Sequence, residues 1–296
     1  VAVGETRRRL SFFVMVLCYS RMMYLEFTVS QTMEHFLACH QNAFDYFGSV
    51  PRKIMVDNLK SAVLRRITGE APVLNPTYLD FANTYGFTIA PCNVRAGNEK
   101  GRVENGVGYA KKNFLAGLDI PHFEALNPAA RIWLNEVANV RIHGETRKKP
   151  IDLLKEEKPH LLPLPPHCFD IANVTQARAS SQFRIALDSN HYSVPAQYAG
   201  ARLTLKAYPD RLCIYHEDVL IARHPRSFDR HQDFEDPDHP KPLLAQRKKA
   251  RDQSLFLRFI ALSPKAPDYY RELDKRRMNP GHHVQKIVAL SEIHGT

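Results

Sequence analysis

The chain has 296 residues, 44% of them hydrophobic, and carries a formal net charge of +10 at neutral pH. That is enough for two domains or one large one, and the basic excess points to a polyanionic partner. No run of about 18 or more apolar residues, no signal peptide and no Walker loop occurs, which sets aside a membrane-spanning helix, secretion and an ATPase.

Residues 1–3 read as the end of a strand that turns through residues 4–6 and pairs antiparallel with residues 11–19. That second strand is near-continuously apolar, as in a strand buried on both faces. Residues 24–29 form a third strand. Residues 31–47 carry the helical stripe Met33, Phe36, Leu37, Phe44 and Phe47, with Ser30 as cap and Gly48 as stop. His35 and His40 lie five apart on this helix, so they point different ways and read as structural or surface groups.

Residues 52–58 (RKIMVDN) form a short strand ending in Asp57. An acid at the carboxyl end of a strand commonly faces a site, though Asp57 could equally cap the next turn. Asn75-Pro76 opens another helix as cap and first residue, with Leu79, Phe81, Ala82 and Tyr85 apolar and Gly86 as stop. Residues 87–90 are a strand that ends at Pro91.

After a polar loop, residues 93–99, helical periodicity returns. Val103, Val107, Ala110 and Phe114 fall at i, i+4, i+7 and i+11, so that face should pack on a core. Glu104 lies on another face, in line with Gly101, Gly108 and Lys111. Two glycines inside a helix cost about 1 kcal/mol each relative to alanine, a cost that suits close approach by another group. Taken alone, Glu104 reads as a solvated glutamate on a glycine-weakened helix. Three strands followed by alternating helices and strands suit a mixed α/β sheet flanked by helices.

Strand-Asp57-Asn58, then Pro91, a loop and KGRVEN (residues 100–105), resembles the second and third acids of the retroviral integrase and transposase core, which has an RNase H-like fold. The phrases VPRKIMVDNLKSAV, GNEKGRVENGVGY and HHVQKIVALSEI carry the resemblance further, to IstA-type transposases of bacterial insertion sequences. It extends over nearly the whole chain. It implies metal-dependent cleavage of transposon ends and strand transfer into target DNA, with Asp57 and Glu104 as catalytic residues holding Mg2+ or Mn2+. It also implies an IstB-type helper ATPase, a homo-oligomer on DNA and a cytoplasmic, nucleoid-associated protein. The family's first acid lies on the first strand, which this chain enters only at its end. The expectation is therefore a fragment that lacks that Asp and the end-binding region, and is inactive by itself.

Asn127-Pro128 reads as the start of a helix carrying Ile132, Trp133, Val137 and Val140, and Pro150 opens a short one ending near Glu157. Four prolines in residues 159–166 mark a stiff linker. Five short strands follow, at residues 183–187, 191–194, 202–208, 212–216 and 219–223, and their spacing predicts a small β-barrel. Lys206, Arg211 and Arg223 on it could meet a DNA backbone. The expected domains are a core over 1–158 with its first strand truncated, the linker 159–166, the barrel 167–228 and a basic, mainly helical tail over 229–296.

Residues 241–286 contain 12 Lys or Arg against 4 Asp or Glu. Lys248, Lys249 and Arg251 are the candidate DNA contacts there, and Arg102, Gly108, Lys111 and Lys112 beside Glu104. Leu255, Phe256, Phe259, Ile260 and Leu262 form an apolar patch. The five cysteines, Cys18, Cys39, Cys92, Cys168 and Cys213, show no paired spacing, so reduced thiols are expected.

Magnesium takes hard oxygen ligands and keeps several waters, so a few carboxylates can hold it at a phosphate. The competing readings are a non-catalytic DNA-binding or assembly module on the same scaffold and an RNase H-like nuclease that only hydrolyses.

Overall fold

A computed structural model describes residues 1–56, 62–65, 73–91, 97–120, 122–276 and 279–294. Contacts divide the chain into two compact units. One comprises Val1–Ala177, Ala186–Asn190 and Leu203–Gln232; the other comprises Arg178–Ile185, His191–Arg202 and Asp233–Thr296.

The first unit opens with a tight hairpin, β1 (Ala2–Val3) against β2 (Thr6–Arg7), with Ala2 opposite Arg7. The strand at the amino end therefore pairs with residues 6–7 rather than with residues 11–19, because the turn is only two residues long. β3 (Ser11–Val16) and β4 (Met23–Thr28) then pair antiparallel, from Ser11 opposite Thr28 to Val16 opposite Met23. β5 (Lys53–Val56) pairs in parallel with β8 (Thr88–Pro91), which needs the long crossover between them. That crossover holds a small antiparallel pair that the sequence reading missed, β6 (Val63–Arg65) with β7 (Val73–Leu74).

Helix α1 (Met33–Phe47) starts after Thr32, not Ser30, and ends at Gly48 with φ 65°. A left-handed residue there costs glycine nothing and lets its N–H reach the last turn. Helix α2 (Pro76–Tyr85) is capped as expected, with the Asn75 side chain accepting from the Thr77 N–H at 3.0 Å. Its buried face is Tyr78, Phe81, Ala82 and Tyr85, while Leu79 is exposed. The Phe44 and Phe81 rings stack between α1 and α2 at 6.2 Å. His40 is fully buried between them, its Nδ1 2.8 Å from the Phe36 carbonyl and its Nε2 3.2 Å from the Tyr78 hydroxyl. It is a structural histidine, as expected.

Helix α3 (Gly97–Tyr109) runs on into a π-helical stretch, Ala110–Leu115. Helix α4 (Phe123–Trp133) begins four residues before Asn127, and it too continues into a π-helical stretch, Leu134–Ala138. Asn127 is therefore no cap. Its amide accepts from the Phe27 N–H at 2.7 Å and donates to the Phe27 carbonyl at 3.0 Å. Asn139 does the same to Met23, at 2.9 Å in both directions. Two side chains thus stand in for a neighbouring strand along the outer edge of β4. Leu126, Ala130, Trp133, Leu134 and Ala138 face the core, while Ile132 and Val137 are exposed.

Helix α5 (Pro150–Glu157) precedes the proline-rich segment. That segment is docked, since Leu162 and Val50 exchange backbone hydrogen bonds of 2.8 Å. The four-stranded sheet beyond it runs in the order β14 (Val219–Pro225), β13 (Arg211–His216), β12 (Arg202–Ala207), β9 (Asn173–Arg178). The sequence reading missed β9. β10 (Arg184–Leu187) and β11 (Asn190–Ser193) stand where expected, and β11 pairs in parallel with β15 (Asp233–Phe234). The strands lie in separate sheets, with no closed barrel among the described residues.

The second unit contains helices α6 (Lys241–Leu262), α7 (Ala266–Lys275) and α8 (Pro280–His294). They share a small core of Phe259, Ala266, Val284 and Val288, flanked by Leu255, Ile260 and Leu262. Among the described residues no helix is long and apolar enough to cross a membrane. Cys18, Cys39, Cys168 and Cys213 are free thiols, while Cys92 lies outside the described residues.

Candidate active site

The first unit holds a cleft of about 1350 Å³ between β3 and β5. Each of these strands has one hydrogen-bonded neighbour among the described residues, β4 and β8 respectively. The cleft is lined by Ser11 through Tyr19 on one side and Pro51 through Val56 on the other. At one end the Tyr19 N–H donates to Glu157 at 3.4 Å and Arg52 Nε donates to the His160 carbonyl at 2.8 Å. Glu157 and His160 flank one short turn, so the carboxyl end of β3 lies near the amino end of β5. The two strands run antiparallel across the gap, which gives it the form of a slot between two open strand edges.

The slot has two helical walls. His35, Phe36, Cys39 and His40 of α1 form one. Val103, Glu104, Val107, Gly108 and Lys111 of α3 form the other. A glycine fixes how α3 lies. A Cβ at Gly106 would stand 3.0 Å from Val16 Cγ2, 3.5 Å from Val14 Cγ1 and 3.6 Å from Met23 Sδ, so the helix rests on β3 there. At Gly101 and Gly108 an added Cβ would meet nothing within 4 Å. Close approach by the protein itself therefore falls on Gly106, which the sequence reading did not single out.

Farther along, Ala110 and Phe114 are buried as expected, with Phe114 against Trp133 at 5.3 Å. Trp133 Nε1 donates to Asn113 Oδ1 at 2.7 Å. Val103 is 39% exposed and faces the cleft rather than the core, because the Gly106 contact rotates the first turns of α3 away from it.

This seating brings Glu104, Gly108 and Lys111 onto one cleft wall, as their spacing predicted, while Gly101, expected in line with them, does not line it. Glu104 is exposed and Lys111 Nζ stands 6.0 Å from the Phe12 ring centroid. Lys112 is exposed and does not line the cleft. Asp57 lies outside the described residues, one position beyond Val56, which does line it. Arg102 lies on α3, with its side chain outside the described part. Lys248, Lys249 and Arg251 are exposed on α6, in the other unit. Of the other cations named, Lys206 is held by Asp170 at 2.8 Å and Arg211 by Asp210 at 3.0 Å.

The sequence reading also missed Arg52 and Lys53 at the cleft's end. The motif RKIMVDN contained them, but only the strand's acid drew attention. Among the described residues no three His, Cys, Asp or Glu side chains converge as a metal cluster. Glu104 supplies one hard, solvent-facing oxygen donor on the cleft, which is chemistry that suits magnesium.

A mixed α/β core whose cleft presents a carboxylate-bearing helix beside a strand end has the plan of an integrase core. Residues 1–96 match the integrase core domain and residues 164–236 the C-terminal domain of Mu transposase. The transposase of insertion sequence element IS21 from Pseudomonas aeruginosa is 30% identical, over 86% of this chain and 66% of its own length. A transposase from Aminobacter aminovorans is 31% identical, over 78% of this chain and 46% of its own. That of IS232 from Bacillus thuringiensis subsp. berliner is 29% identical, over 71% and 49%. The chain belongs to the insertion-sequence transposases that carry an integrase core. It spans about half the length of most of these relatives.

Proposed function

We propose that the chain forms the catalytic part of an insertion-sequence transposase of the IstA type, which cleaves transposon ends and joins them to target DNA. Water first cuts the end and frees a 3′-hydroxyl. That hydroxyl then attacks a target phosphodiester, one phosphorus–oxygen bond forming as another breaks, with no covalent enzyme intermediate. The observation that carries the reading is the shared wall of Glu104, Gly108 and Lys111 opposite the end of β5.

Glu104 and Asp57 would hold Mg2+ or Mn2+, which supplies Lewis-acid stabilisation of the scissile phosphate. Lys111 would meet DNA phosphate as a point charge, with Arg102 and Lys112 extending the contact, while Gly108 leaves room for the strand. Lys248, Lys249 and Arg251 would bind backbone nonspecifically. The domain plan would be an RNase H-like core over 1–158, a linker over 159–166, a β-sheet module over 167–228 and a basic tail over 229–296. The partners would be an IstB-type ATPase and further copies of the protein on DNA, in the bacterial cytoplasm at the nucleoid.

The first acid would come from a strand ahead of Val1. Val1 already accepts from the Arg8 N–H at 3.0 Å, one step beyond the β1–β2 pairing, and a strand continuing in that sense would reach β3. A strand there would run antiparallel to β3 and parallel to β5, extending both pairs in their own sense.

The test is a strand-transfer assay on the chain extended by that strand and the end-binding region. Magnesium-dependent joining should be abolished by Asp57→Asn and by Glu104→Gln. Joining by either variant would remove its acid from the mechanism. Nicks without joined product would favour a nuclease, and binding without chemistry a scaffold. Neutralising Lys248, Lys249 and Arg251 should lower the salt slope of DNA binding by nearly one unit for each phosphate no longer neutralised.

A further inference from the structure

The wall of the cleft formed by α1 is held from outside the segment matched to the integrase core. Arg226 follows β14 and has only 6% of its side chain exposed. Its Nη1 lies 2.9 Å from Glu34 Oε1, and its Nη2 2.8 Å from Asp188 Oδ2. Nη1 also donates to the Tyr208 carbonyl at 2.9 Å. Glu34, in the first turn of α1, is 2% exposed.

Burial alone would push the Glu34 carboxyl up. Hydrogen bonds from its own backbone and Thr32, together with the Arg226 guanidinium, outweigh this and leave it below the usual range. The Phe228 ring lies 5.0 Å from the guanidinium and 5.5 Å from the His35 ring. Two residues after Arg226, the chain grips the hairpin as well. The Phe228 carbonyl accepts from Arg8, and Asp229 accepts from the Glu5 N–H at 3.3 Å and the Thr6 hydroxyl at 3.1 Å. Asn190, fully buried, braces this loop by donating to the Ser227 and Asp229 carbonyls.

We propose that Arg226 is a positioning residue for the cleft. By fixing the first turn of α1 and the β1–β2 hairpin to one loop, it makes the carboxyl-terminal sheet part of the active-site frame rather than an appended module. A buried guanidinium whose partners come from two separated segments can do this because removing one member strands the other charge out of water. The fork also fixes direction, which an ammonium could not. Glu34 is adjacent to His35, and α1 continues through Phe36, Cys39 and His40 along the cleft, so tilting its first turn displaces that wall.

The proposal rests on reading the cleft as the active site, yet its test reads thiol reactivity and backbone exchange. Its failure therefore leaves that reading standing. Cys39 is 1% exposed and lines the cleft, and burial pushes its thiol up, so it should alkylate slowly in the folded protein. Arg226→Met should raise the alkylation rate of Cys39 about tenfold or more, followed peptide by peptide against the exposed Cys18 and Cys168. Amides of residues 33–40 and 5–8 should exchange faster by a similar factor, with β12 and β13 unchanged.

Arg226→Lys should restore only part of the protection. Glu34→Gln keeps shape without charge and should give a milder form of the same pattern should Arg226→Met fold poorly. The double variant should show less loss than the sum of the singles. Faster exchange confined to residues 207–230, or an equal rise at every amide, would overturn the proposal.

Discussion

Gly106 and Gly108 lie two residues apart on α3, yet they should respond oppositely to the same substitution. At Gly108 an added Cβ meets nothing within 4 Å. Gly108→Ala should therefore gain about 1 kcal/mol of helix propensity, and Tm should rise by roughly 2–4 °C. At Gly106 the same Cβ stands 3.0 Å from Val16 Cγ2, inside ordinary contact, so Gly106→Ala should show little or no gain. Leucine widens the contrast. Gly106→Leu drives a branched side chain into Val14, Val16 and Met23, at an overpacking cost of about 1–3 kcal/mol. Gly108→Leu keeps most of the propensity gain, and its side chain stands in the cleft beside Glu104 and Lys111. Because the propensity gain is common to both, the two leucine variants should differ by the overpacking cost, about 1–3 kcal/mol, in urea unfolding followed by circular dichroism. Gly108→Leu should also fold normally while losing DNA engagement near the cleft. Equal unfolding midpoints would mean that α3 does not rest on β3 through Gly106. A destabilised Gly108→Leu with an unaffected Gly106→Leu would reverse the assignment of faces.

Burial pushes the His40 imidazole down to about 4, against a smaller opposing effect from the Phe36 carbonyl. The unfolded chain therefore takes up this proton first, and stability should fall as pH drops from about 6.5 to 4, by about 3 kcal/mol from this group. In His40→Gln that part of the acid limb should disappear. An identical stability gap between wild type and variant at pH 7 and pH 4.5 would refute the assignment. Asn139→Ala should leave the buried Met23 N–H and carbonyl unpaired, at a cost of about 1–3 kcal/mol for each group. Asn139→Asp keeps the acceptor and loses the donor, so it should restore only the Met23 N–H bond. If Asn139→Ala unfolds like wild type, the bracket on β4 contributes nothing.

Much of the core was legible because its signals are local. The Asn75-Pro76 cap and the Gly48 and Gly86 stops each depend on residues a few positions away, whereas β3, read as a strand buried on both faces, is mostly half-buried along the cleft. Other readings failed where one local pattern serves a distant partner. Asn127-Pro128 has the form of a helix start, but its amide is spent on Phe27, 100 positions earlier. The stripe from Val103 to Phe114 assumed one unbroken face, whereas Gly106, not a bulky apolar residue, is the point of contact, and the helix changes its winding at Ala110. Glycine contributes nothing to a hydrophobic pattern, so periodicity overlooks it. Glu104, Gly108 and Lys111 were legible as a set because one helix orders them. Arg226 was not, since its partners Glu34 and Asp188 lie far from it in sequence.

The paired asparagines give the β3–β4 ribbon a valence of one. Along β4 the backbone groups of Met23 and Phe27 are already saturated by side chains, four residues apart and on the same edge. An extended segment arriving from that flank finds those positions taken, much as a cap ends a polymer chain. Growth of the ribbon is thereby directed to β3, the edge that faces the cleft. Removing both asparagines would turn a one-sided acceptor into a two-sided one, open to an added strand along β4 as well as along β3.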